Sequence, residues 1–229
     1  MSRDVGVVIV AAGESTRTAG KELKQFRWIA GKPMLLHSLQ TFMARSDVIS
    51  VVCVIPKEFV ADPPPWIFQC DVDRLLLSIG GRTRMESVKN GLEDLTDEAS
   101  IALIHDAARP FVEDALIDRV LARARAGEAA VPGLAVVDTI KEADDTGRVI
   151  RTVDRAKLWR VQTPQGFPRE IIERAHREAR ASSATATDDA ALCERIGVPV
   201  AIVPGSERAM KVTDEGDFER IEALFAASR

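Results

Sequence analysis

The chain has 229 residues, 46% of them hydrophobic and 29% charged, with a net charge of -4. That balance is ordinary for a soluble globular chain, and the length suits one domain of the larger α/β kind or two small ones. No apolar run reaches the ~20 residues of a membrane span, and the acidic balance argues against nonspecific nucleic-acid binding.

The N-terminal run "VGVVIV" (5–10) lacks the basic flank and small-residue cleavage site of a secretion signal and reads as a first strand. In "KPMLLHSLQTFMA", Leu35, Leu36, Leu39, Phe42 and Met43 fall at helical spacing behind Pro33. Strand-like runs follow at 49–55, 74–79, 101–105 and 129–137, apolar on both faces as in a sheet covered on both sides. Between them, "RMESVKNGLEDL" and "EDALIDRVLARARAG" carry the helical period. This rhythm predicts an α/β fold with a doubly wound, mostly parallel sheet, whose ligands sit at the C-terminal ends of strands.

Residues 136–159 break the rhythm with two extended pieces around the turn "EADDTG". Such a segment is either a solvated hairpin or an arm, about 137–158, that completes its packing on another copy. Further on, Thr187 is placed to cap "DDAALCERIG", with Gly197 as its stop. A strand at 199–203 and a helix from a Thr213 cap to Ala226 complete a single domain spanning 1–229. Cys53, Cys70 and Cys193 form no C-x-x-C pair, which argues against structural zinc and a disulfide framework and makes a reducing cytoplasm the expectation.

The segment after the first strand, "AAGESTRTAGKELKQF", fits neither phosphate-binding template. Gly13 is followed by Glu14 and Ser15 where G-x-G-x-x-G needs glycine, and Glu22 stands where a P-loop needs a hydroxyl. Yet Ala11, Ala12 and Gly13 let the backbone approach a flat base or a phosphate, Ser15 and Thr16 can cradle oxygens, and Arg17 and Lys24 add positive charge. A basic solvated loop is the plainer reading. Asp106 in "IHDAARPF" closes a buried strand and could hold Mg²⁺ through oxygen or merely cap a turn. "GGRTRMESV" opens a helix after a strand; Ser87 can reach a base edge, though on spacing alone this is a generic βα turn, and Lys211 in "AMKVT" stands at a strand end, where a lysine is usually solvated.

Read together and in order, "AAGESTR…LKQF", "GGRTRMESV", "HDAARP", "DTIK", "TVDR..LW", "QTPQGF", "TDDA" and "MKVT" give a closer match. The chain resembles, nearly end to end, the Rossmann-like nucleotidyltransferases, and among them the 2-C-methyl-D-erythritol 4-phosphate cytidylyltransferase family of the non-mevalonate isoprenoid pathway. Ser15, Thr18 and Leu23 replace the family's usual glycine, methionine and proline, while Arg17 and Lys24 keep its spacing.

The resemblance implies transfer of CMP from CTP to the methylerythritol phosphate, with Mg²⁺ or another divalent cation. It implies catalytic roles for Arg17, Lys24, Asp106 and Lys211, with the metal on Asp106. Cytosine is then read by Gly81, Arg82 and Ser87 against Ala11, Ala12 and Gly13. The acceptor falls to Asp106, Arg109, Thr139, Arg155, Thr163 and Thr187, and Arg155 comes from an arm that crosses to a second subunit, making a homodimer. No nucleic acid or membrane partner is expected. The rivals are a cytidylyltransferase for another polyol phosphate, such as ribitol 5-phosphate, and a noncatalytic nucleotide-binding module.

Overall fold

The computed structural model describes residues 3–13 and 23–227. In chain order the elements are β1 (Val5–Val10), β2 (Trp28–Ile29), β3 (Lys32–Pro33), α1 (Met34–Met43), β4 (Val48–Ile55), α2 (Lys57–Ala61), β5 (Leu75–Ile79), α3 (Arg84–Glu93) and β6 (Ile101–Asp106). There follow α4 (Asp114–Arg125), β7 (Ala129–Ala135), β8 (Ile140–Ala143), β9 (Val149–Val153), β10 (Trp159–Val161), β11 (Gln165–Pro168), α5 (Arg169–Ala181), α6 (Asp189–Arg195), β12 (Val200–Pro204) and α7 (Glu215–Ala226).

Eight strands form one sheet among the described residues, in the order β10-β7-β11-β6-β1-β4-β5, with β12 also on β7. The β1–β4, β1–β6, β4–β5 and β7–β12 pairs are parallel; β11 and β10 run antiparallel to their neighbours. Helical crossovers produce the parallel half, because parallel neighbours need a long connection. Strand alternation sends Val7 and Ile9 of β1 to one face, where they pack with Leu35, Leu39, Ile117 and Val120 of α1 and α4. Val8 goes to the other face, with Val88 and Leu92 of α3, Phe167, and Ile172 and Ala175 of α5. The sheet is therefore doubly wound, as the rhythm predicts. Gly91 lets α3 lie close on it, since a Cβ there would stand 2.4 Å from Val8 Cγ1.

Some expectations need correction. The run at 74–79 is an edge strand, with Leu76 and Ile79 exposed, and the run at 129–137 ends as a strand at Ala135. Asp188, not Thr187, caps α6, its carboxylate accepting from Ala191 N at 3.0 Å. Asp214, not Thr213, caps α7 in a capping box with Asp217, while Thr213 donates to Asp217 from its backbone and hydroxyl. A short side-chain carboxylate one residue further on is better placed than the threonine to reach the first-turn N–H groups. The hairpin expected around "EADDTG" is present as β8–β9, with Gly147 at φ +80° and Asp144 accepting from Thr146 and Arg148.

Two buried histidines tie acid stability to this core. His37 Nε2 faces the Ile29 carbonyl at 2.8 Å and His105 Nε2 faces that of Arg109 at 3.1 Å, so each donates as a neutral ring. Burial is the largest influence on both and lowers their pKa, that of His105 to about 4. Unfolded histidines protonate at about pH 6.5, so this stability is complete above that pH and declines as pH falls toward the folded values. The urea midpoint should drop as pH is lowered through this window, and less so in His37→Gln; a flat midpoint in the wild-type chain would contradict the assignment.

Candidate functional site

Strand β1 delivers Ala11, Ala12 and Gly13 to the point where its neighbours β4 and β6 depart on opposite sides, the usual place for a ligand in such a sheet. The loop after β5 closes in from one side. Gly80 sits against Ala12 so tightly that a Cβ on it would lie 2.1 Å from the alanine Cβ. Thr83 caps α3 by accepting from Glu86 N at 3.1 Å, and Ser87 Oγ accepts from Gly81 N and donates to the Thr83 carbonyl, both at 3.0 Å. From the opposite side, Gln25 donates to the Ala11 carbonyl and Lys24 Nζ donates to the Val212 carbonyl at 2.8 Å. Val212 N in turn donates to Ala108 O at 2.8 Å, which fixes the 210s segment beside the end of β6. These segments enclose a cavity of about 590 Å³.

Asp106, the last residue of β6, stands on the wall of this cavity. Its Oδ1 receives Arg84 Nε at 3.1 Å and its Oδ2 receives Lys211 Nζ at 2.8 Å. Burial alone would raise its pKa, but Arg84 and Lys211 outweigh burial and hold the carboxyl well below the usual range. Arg84 Nη1 reaches on to Asp189 Oδ2 at 2.7 Å, and Asp189 Oδ1 meets His176 Nε2 at 3.2 Å. Beneath Asp106, its backbone N–H donates to Thr163 Oγ1 at 3.0 Å. Because neutral His105 donates from Nε2, its Nδ1 accepts the Thr163 hydroxyl proton, also at 3.0 Å. Thr163 thus has only an accepting position left for any ligand.

The structure brings together most of the residues singled out from sequence. Ala11, Ala12, Gly13, Lys24, Gly81, Arg82, Ser87, Asp106 and Lys211 all line the cavity. Arg17, with Ser15, Thr16 and Thr18, lies outside the described residues. Arg109 donates to the Ala209 carbonyl at 2.7 Å and more weakly to Val161 O, bracing the segment that carries Lys211. Thr139 and Arg155 lie on the exposed arm, where Arg155 donates to the Val137 carbonyl, and Thr187 is exposed just ahead of α6. Within one chain these three do not line the cavity.

Arg84 and Asp189 went unread in the sequence. Arg84 occupies the first position of α3, where the helix dipole disfavours a cation unless a carboxylate faces it. Thr187-Asp188-Asp189 supplies two acids where one suffices as a cap. Those two anomalies were the available signal. Among the described residues no group of three or more His, Cys, Asp or Glu converges as a metal cage. Asp106 has one oxygen on Arg84 and the other on Lys211, each with a second lone pair to offer, so a Mg²⁺ held chiefly by substrate phosphates and water would find a single carboxylate ligand here.

A cavity at the switch point of a doubly wound sheet, with small residues on one wall and lysines beside a carboxylate on the other, defines a nucleotide-handling enzyme of the nucleotidyltransferase class. Comparison with known proteins narrows the class. A family model described as IspD, 2-C-methyl-D-erythritol 4-phosphate cytidylyltransferase, matches residues 5–227, and the chain belongs to that family. It is 45% identical to the bifunctional enzyme IspD/IspF of Rhodospirillum rubrum, covering 96% of this chain and 57% of that protein. It is 36% identical to the 2-C-methyl-D-erythritol 4-phosphate cytidylyltransferase of Syntrophus aciditrophicus, over 98% of this chain and 97% of the relative. The crystal structure of the cytidylyltransferase from Thermus thermophilus superposes with a TM-score of 0.80 at 34% identity, covering 96% of this chain and 98% of that one.

Proposed function

We propose that the chain transfers CMP from CTP to 2-C-methyl-D-erythritol 4-phosphate, releasing pyrophosphate and giving 4-diphosphocytidyl-2-C-methyl-D-erythritol. The observation that carries this reading is the cavity in which Lys24, Lys211 and Asp106 face the small-residue wall of Ala11, Ala12 and Gly81, in a chain of this family. An acceptor phosphate oxygen attacks the α-phosphorus in line, and the bond to the bridging oxygen of the departing pyrophosphate breaks. The nucleophile is already anionic, so no general base is needed. His105 is accordingly buried, neutral and bonded to Arg109 O and Thr163. The difficulty is electrostatic: like unit charges ~4 Å apart repel by about 4 kcal/mol at an effective dielectric near 20. Lys24 and Lys211 offset that repulsion, and Arg17 is assigned to the same task by its place in the family pattern. Mg²⁺, held by Asp106 and the nucleotide phosphates, would neutralise phosphate charge and polarise the phosphorus.

Cytosine selectivity follows from the Ser87 hydroxyl. Its proton is given to the Thr83 carbonyl, so toward a ligand its oxygen accepts, which suits the 4-amino group of cytosine and not the carbonyl of uracil. Transfer of an α-phosphorus label from CTP to the acceptor, with UTP a poor donor, is the expected result. Label appearing only as free CMP would overturn the reading.

The working form is a cytoplasmic homodimer. Three free cysteines suit a reducing compartment, and no helix among the described residues is long and apolar enough to cross a membrane. Val137, Val149 and Ile150 expose apolar surface on the arm, which a second copy would cover while Thr139 and Arg155 approach its cavity. Sedimentation should give a dimer for the wild-type chain and a monomer for Ile150→Asp. A wild-type monomer at assay concentration would refute the arrangement.

A further inference from the structure

The cation cluster extends from Arg84, half-buried on the cavity wall, to a buried carboxylate, Asp189, that the proposed chemistry leaves unused. Arg84 projects from the start of α3 and joins two carboxylates, Asp106 at 3.1 Å and Asp189 at 2.7 Å. Asp189 is 1% exposed, and its other oxygen is met by His176 on α5. Its backbone is fixed as well. Gln165 on β11 donates to the capping Asp188 at 2.8 Å and accepts from Ala190 N at 3.2 Å, so the start of α6 is pinned to the sheet.

A buried carboxylate is costly unless paired, and an apolar residue would fill the same space without that cost. Arg84 is equally out of place for folding alone, since the positive end of α3 disfavours it. We infer that Asp189 is a positioning residue for the nucleotide site: it anchors the far side of the Arg84 guanidinium, so that Arg84 holds the Asp106 carboxylate in the orientation that leaves Oδ2 facing Lys211. Arginine suits this task because its planar fork serves two carboxylates at once, whereas a lysine ammonium acts as a point charge. Without Asp189, Arg84 is left among the described residues with Asp106 and turns toward bound phosphates, drawing Asp106 with it. The inference rests on the cytidylyltransferase reading of the cavity.

The test is steady-state CMP transfer with CTP and acceptor varied separately, each rate normalised to folded protein. Wild-type turnover is scored first. Its absence would remove the cytidylyltransferase reading, whereas the variants address the inference only once it is present. Asp189→Asn and Arg84→Gln should each lower kcat about 10- to 100-fold, the usual cost of releasing an outer support of a reacting group, with far less change in KM for CTP. The double variant should be no slower than Arg84→Gln, because Asp189 acts through Arg84. Arg84→Lys should not restore the rate. Losses that multiply in the double variant, or Asp189→Asn with a lowered melting temperature but full kcat, would overturn the inference. Should Asp189→Asn fail to fold, the pair is removed together as Arg84→Met with Asp189→Leu, an exchange buried ion pairs often tolerate. A folded chain as slow as Arg84→Gln is expected, and a folded chain with wild-type kcat would overturn the assignment.

Discussion

Lys24→Ala should lower kcat by ~10²–10³ while leaving the fold in place. The lysine stands on the cavity wall with its ammonium 2.8 Å from the Val212 carbonyl, at the start of the 3-10 turn that Gln25 ties to Ala11. Its backbone is thus held by neighbours, and the side chain is only half-buried, so alanine leaves no deep cavity. What disappears is a preorganised cation facing the phosphates where charge accumulates at the five-coordinate phosphorus. An unaltered melting temperature with a collapsed rate is the expected pair of results. Near-normal turnover at saturating CTP would remove Lys24 from the mechanism.

Asp106→Asn should damage both activity and stability. The carboxylate is nearly buried and balances Arg84 and Lys211 together. A neutral amide leaves Arg84 with Asp189 alone and frees Lys211 toward solvent; because Lys211 is 44% exposed, the cost falls below the about 3–5 kcal/mol of a fully buried pair. The rate loss should be at least the ~10²–10³ seen for a lost electrostatic contact, since Lys211 is also released from its place. The pH dependence has a defined sign. The folded carboxyl is held below its unfolded value, so its contribution is complete above about pH 4 and is lost as the pH falls further. Urea titrations of the two proteins should therefore converge in strong acid. Equal midpoints at neutral pH would contradict the pairing.

The parallel half of the sheet was legible because β1, β4 and β6 are buried on both faces and leave unbroken apolar runs. The antiparallel half was not. β10 and β11 are three and four residues long, and their pairing with β7 and β6 depends on contacts across the sheet that no local pattern encodes. Helix α5 was passed over although Ile172, Ala175, His176 and Ala179 mark a buried stripe, because charged residues fill the positions between. At the site, residues adjacent in sequence to the cavity wall were recognisable from their chemistry: small residues after a strand, an aspartate at a strand end. Asp189 was not, since it reaches the cluster from α6 through Arg84, 105 residues distant in the chain.

The most direct test of the account is pyrophosphate release from CTP and Mg²⁺ with 2-C-methyl-D-erythritol 4-phosphate and ribitol 5-phosphate offered separately. Release that depends on the methylerythritol phosphate, with none above background for ribitol 5-phosphate, is the predicted result; release with ribitol 5-phosphate alone, or with neither, would contradict it.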